Sequence, residues 1–103
     1  MKLSDIILEG SHDAEGITAD NVKKVDIAFV DGTTMLYGVY VYLKDGNDTN
    51  WDKKLHSKET QKMLDILGID INFADDPSQA SPAVIKALKD KGIEASESEF
   101  DVS

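Results

Sequence analysis

The chain contains no cysteine and no arginine, and each absence excludes a class of function. Without cysteine there are no disulfides, thiolate nucleophiles or cysteine-ligated metal sites. Without arginine the chain lacks the residue that most often makes bidentate contacts to phosphates and bases. All eleven basic residues are lysines, against twenty acidic residues, and the formal net charge is −9. We therefore expect a protein that meets a basic partner and does not itself favour nucleic acid or a membrane.

Long apolar runs are also missing, and none approaches the roughly 18 residues that a membrane-spanning helix needs. The N-terminus, MKLSDIILEG, has a short apolar stretch that Asp5 interrupts, so it does not resemble a signal peptide. A cytoplasmic location is the expectation. With 103 residues and 41% hydrophobic content, the chain fits one small acidic domain, residues 1–103. Its first 21 residues are expected to be partly irregular, and residues 94–103 to form an acidic strand or tail.

The negative charge is concentrated in three segments. Residues 1–21 carry five acids and one lysine, whereas residues 63–76 and 93–103 carry four acids each and no lysine. Solubility alone explains many charge runs, because such runs usually form solvated faces. The alternative is a negative contact surface. Its candidate residues are Asp70, Asp75, Asp76, Glu97, Glu99, Phe100 and Asp101, with Asp5–Asp20 as a second choice.

The clearest element is a β-hairpin in VKKVDIAFVDGTTMLYGVYVYLKDG. Apolar residues alternate before and after the Asp31–Gly32 turn, as strands require. An odd-numbered loop, with Gly32 at positive φ, would place Val25, Ile27 and Phe29 on one face with Met35, Tyr37, Val39 and Val41. The opposite face then carries Tyr40 and Tyr42. We expect these two tyrosines to be at least partly exposed, unless the segment Leu3–Leu8, a helix or a strand, covers them.

Two helices are predicted after the hairpin. Ser57 would cap the first, at about Lys58–Leu67, and Gly68 would end it. Ser81 would cap the second, with Pro82 at its first position, and Gly92 would end it.

Each predicted helix precedes an alternating segment. IDINF (69–73) is expected to be a strand, and IEASESEFDV to be a final edge strand with Phe100 and Val102 inward. The fold class is therefore α+β: an antiparallel hairpin, extended by one or two further strands, with two helices on one face.

The stretch DGNDTNWDKKLHSKE matches much of an EF-hand calcium loop, counted from Asp48 through Asn50 and Asp52 to Glu59. Its sixth template position, however, is Lys53 instead of the glycine that the sharp turn needs. The preceding element is a strand, and Glu59 has an ordinary place in the first turn of a helix. We therefore expect no calcium site, no other metal and no cofactor. Trp51 in this stretch either closes the core or forms an exposed anchor for a partner.

No pattern of catalytic residues is evident. His12 and His56 stand alone, and no nucleophile–base pair, metal set or glycine-rich phosphate loop accompanies them. The expectation is a binding protein without enzymatic activity, in which Tyr40, Tyr42 and Trp51 join the acidic residues as contact points.

In length and charge the chain resembles small acidic phage-encoded inhibitors, such as anti-CRISPR and anti-restriction proteins. The resemblance implies stoichiometric occlusion of a basic protein that handles nucleic acid. The segment LHSKETQKMLDILGID is also similar to a segment in small phage replication accessory proteins, which implies single-strand nucleic-acid binding. A third possibility is a homo-oligomeric assembly module. Salt-sensitive binding to a basic protein would favour the inhibitor. Binding to an oligonucleotide would favour the single-strand-binding accessory protein. A stable homo-oligomer that binds neither would favour the assembly module.

Overall fold

A computed structural model describes residues 16–46 and 51–100 of the chain. In order, its elements are β1 (Val22–Val30), β2 (Leu36–Leu43), β3 (Lys53–Leu55), α1 (Ser57–Ile66), α2 (Pro77–Asp90) and β4 (Glu94–Phe100). The strands form one mixed sheet in the order β3-β2-β1-β4. β1 is antiparallel to β2 and parallel to β4. The predicted α+β class is confirmed, with the hairpin extended by two strands and both helices packed on one sheet face.

The hairpin pairing follows the predicted register in its centre. Val25 pairs with Val41 and Ile27 with Val39, so these apolar side chains share the face that the helices cover. The five-residue loop between the strands contains Gly32 at φ 78°, as expected. Burial of this face supplies the main favourable free energy, because apolar area is removed from water on both sides of the core.

A register shift in the hairpin changes two of the predicted neighbours. Ala28 pairs with Gly38 but Phe29 pairs with Leu36, so Tyr37 is the extra residue of a β-bulge. Leu36 packs against the core in the place predicted for Tyr37. Met35, which was also predicted to face the core, lies in the loop and is 66% exposed.

The first helix begins one residue earlier than predicted. His56 is its N-cap and Ser57 its first residue, so the prediction that Ser57 caps the helix was wrong. The Oε1 of Glu59 accepts a 3.2 Å hydrogen bond from the backbone N–H of His56, as in a capping box. The helix ends at Ile66 with Leu67 as its C-cap, and Gly68, the glycine predicted to terminate it, follows with φ 77°.

The second helix begins five residues earlier than predicted. Asp76 is its N-cap and accepts a hydrogen bond from the N–H of Gln79, and Pro77 occupies the first helical position. Ser81 and Pro82 therefore lie inside α2, and Ser81 is only 1% exposed. Pro77 suits the first helical position, because the N–H groups of the first turn have no intrahelical partner. Pro82 lies inside the helix and cannot donate to the carbonyl of Ser78, and that carbonyl accepts the hydroxyl of Ser81 at 3.3 Å instead.

The segment 69–73 is not a strand, contrary to its alternating pattern. Gln61 of α1 holds it instead: its Oε1 accepts the N–H of Phe73 at 2.7 Å, and its Nε2 donates to the carbonyl of Ile71 at 2.8 Å. Phe73 is fully buried in the core. These side-chain bonds satisfy backbone groups that a strand would have paired with a neighbour. The additional strand is β3, which precedes α1 and pairs with β2.

Some sequence expectations concern residues outside the described ranges. They include the Leu3–Leu8 segment, His12, the acids between Asp5 and Glu15, the loop residues Asp48 and Asn50, and Asp101 and Val102. Within the described ranges, neither helix combines the length and apolar character that crossing a membrane requires.

Candidate functional site

Five aromatic side chains come together on the sheet face opposite the helices, and we name this surface the aromatic face. Its members are Tyr37, Tyr40, Tyr42, Trp51 and Phe100. Strand alternation places Tyr40 opposite Asp26 and Tyr42 opposite Lys24, away from the core side. The parallel pairing of Val30 with Phe100 brings the end of β4 to the same face.

Tyr40 lies at the centre of the aromatic face. Its ring centroid is 5.5 Å from that of Trp51, 5.8 Å from that of Phe100 and 6.5 Å from that of Tyr37. With these neighbours Tyr40 is only 7% exposed, so the prediction that it is partly exposed was wrong. Tyr42 lies further along β2 and is half-buried, as expected, with the Nζ of Lys24 5.3 Å from its ring.

Tyr37 belongs to this surface because of the bulge. Its ring stacks on that of Phe100, with centroids 4.6 Å apart and 17° between the planes. The Nζ of Lys54 lies 4.2 Å from the Tyr37 ring, within range of a cation–π contact. Sequence reasoning assigned Tyr37 to the core, because simple alternation contains no signal for a bulge.

Phe100 and Trp51 differ from their predicted surroundings. Phe100 was expected to point inward, but it is 41% exposed and lies on the aromatic face. Trp51 is half-buried against Tyr40, so it is neither a core residue nor a fully exposed anchor. Burial, together with the neighbouring Tyr37 and Asp26, raises the pKa of Tyr40 to about 12.

The second candidate surface gathers carboxylates at one end of the molecule. β1 and β4 are parallel, so their carboxyl-terminal ends meet, and α2 starts at the same end because it runs back along β4. We name this region the acidic end. Its residues are Asp31, Asp75, Asp76, Glu97 and Glu99, all of them exposed.

Hydrogen bonds join the segments of the acidic end. The N–H of Asp31 donates to the carbonyl of Phe100 at 2.9 Å, which ties the hairpin loop to β4. The hydroxyl of Ser81 donates to Oε2 of Glu97 at 2.6 Å, which ties α2 to β4. The fold therefore combines acids from three separate parts of the sequence.

A cleft of about 400 Å³ opens at the acidic end. It is lined by Phe29, Thr33, Thr34, Ser78, Glu97, Ser98 and Glu99. Phe29 is 6% exposed and forms its apolar wall. The hydroxyl of Ser78 donates to Oδ1 of Asp76 at 2.9 Å, which connects the cleft to the helix start. No lysine is among the lining residues.

Five of the ten lysines in residues 16–46 and 51–100 lie at the opposite end, together with acids. Lys23 and Lys24 start β1, Lys44 follows β2, and Lys89 and Lys91 end α2. Acids alternate with them in the sequence or across the sheet: Asp20, Asp45, Asp90 and Glu94. The opposite end therefore carries charges of both signs, whereas the residues that line the cleft at the acidic end include no lysine.

Other predicted site residues are placed elsewhere or serve the fold. Asp70 is exposed, but it follows the end of α1 and is not part of the acidic end. The Oδ2 of Asp52 accepts the N–H of Leu43 at 2.8 Å. Glu59 caps α1. Within residues 16–46 and 51–100, no three acidic or histidine side chains are grouped as a metal site.

Comparison with protein-family models, curated proteins and solved structures finds no match for this chain.

Proposed function

We propose that this protein is a non-enzymatic binding protein whose acidic end occupies a basic surface of a partner that handles nucleic acid. The observation that carries the proposal is the collection of Asp31, Asp75, Asp76, Glu97 and Glu99 at one end, around a cleft without lysine. The carboxylate of Asp75 accepts from Asn72, that of Asp76 from Gln79 and that of Glu97 from Ser81. Hydrogen bonds therefore orient three of the five carboxylates before any partner arrives.

The mechanism is occlusion. Carboxylates fixed on a rigid domain can substitute for phosphates in a groove lined with lysine and arginine. Complementary potential speeds the encounter, because a local negative field attracts a positive surface over a distance of about 8–10 Å at physiological ionic strength. Exposed carboxylates contribute more to association rate and specificity than to affinity. Apolar contacts, for which Phe29 in the cleft and Phe100 beside it are available, would slow dissociation.

Single-strand nucleic-acid binding is the main competing function. Aromatic rings and lysines on a sheet face are the usual components of such a site, and Tyr37, Phe100 and Lys54 supply them here. The geometry favours it less, because Tyr37 and Phe100 stack on each other and Tyr40 is buried. Few aromatic ring faces on this surface therefore remain on which a nucleic-acid base could stack.

Two charge-neutralised variants with equal net charge test the proposal. The first carries Asp75→Asn, Glu97→Gln and Glu99→Gln at the acidic end and leaves the helix cap Asp76 intact. The matched control carries Asp20→Asn, Asp45→Asn and Asp90→Asn at the opposite end. Each variant and the wild type is immobilised and exposed to nuclease-treated lysate. The captured protein is then purified and titrated against all three in a salt series.

The expected result is that the acidic-end variant binds the partner on the order of tenfold more weakly than the wild type, equivalent to about 1.4 kcal/mol. The opposite-end control should bind as the wild type does, and affinity should fall with salt. Bound protein should also block the partner's binding to nucleic acid at a one-to-one ratio. If both variants lose the same affinity for the partner, the position of the carboxylates does not matter, and their charge serves only solubility. Tight binding of a single-stranded oligonucleotide, or self-assembly alone, would replace the proposal with the corresponding alternative.

A further inference from the structure

β4 forms one edge of the sheet in the described part of the chain. It spans seven residues, and its pairing with β1 continues from Glu94 to Phe100 without a register shift. Natural edge strands are usually blunted by proline, charged side chains, bulges or shortness, because an open edge is a template for another strand. β4 has no proline and no bulge, and its charges are all negative, on Glu94, Glu97 and Glu99, so they oppose another acidic strand and favour a basic one.

The backbone groups that face outward from this edge can be identified. The carbonyl of Phe100 accepts the N–H of Asp31, so the backbone of Phe100 faces β1. Successive residues of a strand direct their backbone groups to alternate sides. The outward N–H and C=O groups therefore belong to Ala95, Glu97 and Glu99. Glu97 and Glu99 are exposed, whereas Ala95 is only 5% exposed, so the accessible part of the edge is at Glu97 and Glu99.

We propose that the outer edge of β4 pairs with an extended basic segment of the partner protein, which adds a strand to the sheet. This inference rests on the function proposed above and specifies how the partner is held. Main-chain hydrogen bonds to Glu97 and Glu99 supply the pairing, and the side chains supply selectivity.

The two faces beside β4 define the segment that fits. The side chains of Glu97 and Glu99 point to the helix side, where they line the cleft. Those of Ser98 and Phe100 point to the aromatic face. A matching strand has lysine or arginine at alternate positions opposite the glutamates, since opposite charges across a strand pair are favourable. Its intervening positions, beside Ser98 and Phe100, are small or apolar.

Charge also decides against a second copy of β4 as the occupant. Pairing two copies edge to edge would place the glutamates of both strands close together, and like charges directly opposite each other are destabilising. A lysine-bearing strand instead neutralises them. Oε2 of Glu97 is already held by Ser81, so one carboxylate oxygen is fixed in position for the incoming cation.

Amide hydrogen exchange measured by NMR on the intact protein tests this inference. The probe is a short peptide of alternating lysine and valine. On addition of the peptide, the amides of Glu97 and Glu99 should exchange at least about tenfold more slowly, since they gain main-chain acceptors. The amides of Ser96 and Ser98 already face β1 and should change little.

N-methylated peptides separate strand pairing from simple charge attraction. N-methylation of the peptide residues whose N–H groups face β4 should weaken binding by on the order of tenfold or more. N-methylation of the intervening residues, whose N–H groups face away, should leave binding unchanged. On the protein, Glu99→Pro removes an outward N–H at an edge, where proline is tolerated. Glu99→Pro should weaken binding of the peptide more than Glu99→Ala does, because Glu99→Ala removes only the carboxylate.

Three results would overturn the inference. They are equal binding of both methylated peptides, unchanged exchange at Glu97 and Glu99 while the peptide is bound, and equal peptide affinities of Glu99→Pro and Glu99→Ala. If one of these results is obtained but the captured partner still binds the acidic-end variant more weakly than the wild type, only the strand-addition inference fails. If neither the peptide nor a basic partner binds, the proposed function fails as well.

Discussion

The hydroxyl of Ser81 lies 2.6 Å from Oε2 of Glu97 and joins the interior of α2 to the outer strand of the sheet. Ser81 is 1% exposed, and its Oγ also lies 3.3 Å from the carbonyl of Ser78. Glu97 belongs to the acidic end, so this buried serine fixes the position of a surface carboxylate.

Ser81→Ala is expected to lower the free energy of unfolding by about 1 kcal/mol, because a hydrogen bond to a carboxylate is lost while Glu97 can still turn to water. Urea denaturation measures the change. Glu97→Gln, which keeps an acceptor in place, should lose less. An unchanged urea midpoint in Ser81→Ala would show that the bond contributes nothing to stability.

The helix ends could be predicted from the sequence because their geometry is local. Ile69 donates to the carbonyl of Leu64, and Ile93 to that of Leu88, around glycines at positive φ. A Schellman cap needs only a glycine and two apolar residues at fixed spacing. The sequence contains all of them at both ends.

The start of α2 could not be predicted in the same way. Ser81–Pro82 and Asp76–Pro77 carry the same signal, a capping residue followed by proline. The choice between them depends on tertiary packing, since Ser81 is buried against β4 and Val84 and Leu88 fill the core. Long-range packing of this kind leaves no mark in the local pattern.

The candidate site was predicted in part. Glu97, Glu99, Asp75 and Asp76 were chosen from two separate acidic runs, and the fold brings both runs to one end. Asp31 was missed because it is an isolated acid in a turn. Its proximity to β4 follows from the parallel pairing of β1 with β4, and the sequence does not specify that pairing.

Gly38 and Lys54 are coupled through space. A Cβ at position 38 would lie 2.8 Å from Cε of Lys54, whose ammonium group contacts Tyr37. Gly38→Ala should therefore displace Lys54 and lose a contact worth about 0.5–1 kcal/mol. This loss should offset the gain of about 0.5–1 kcal/mol that alanine normally brings in a strand interior.

A double-mutant cycle checks this coupling by urea denaturation. In a Lys54→Ala background, Gly38→Ala should stabilise the protein, because no side chain has to move. Equal effects of Gly38→Ala in both backgrounds would show that the two positions do not interact.

Tyr40 should make stability depend on pH at high pH. Its pKa rises from 10.0 to about 12 in the folded protein, so folding favours the protonated phenol. The stabilisation is complete below pH 10, where the phenol is protonated in both states. It is lost progressively as the pH rises from there through about 12, since the unfolded chain ionises first. Thermal melts across this range measure the loss.

Tyr40→Phe is the matched variant for the pH experiment. It keeps the ring contacts with Trp51 and Phe100 and has no ionisable group. Its melting temperature should fall less than that of the wild type over the same pH range. Parallel decreases in the two proteins would assign the pH dependence to other groups.

Asp76 allows the structural and electrostatic roles of the acidic end to be separated. It caps α2 by accepting the N–H of Gln79, and it also contributes charge. Asp76→Ala should lower the free energy of unfolding by about 1 kcal/mol through loss of the cap. Asp76→Ser should keep most of that stability, because serine is an equally good N-cap. Denaturant titrations of the two variants measure the difference.

Partner binding then reports on the charge alone. If negative potential draws the basic partner in, Asp76→Ser should slow association although the fold is intact, and the difference from wild type should shrink as salt rises. Asp45→Ser removes one charge at the opposite end, after β2, so it should leave the association rate unchanged. If both serine variants slow association equally, the partner senses only the total charge of the protein, and the acidic end is not the binding surface.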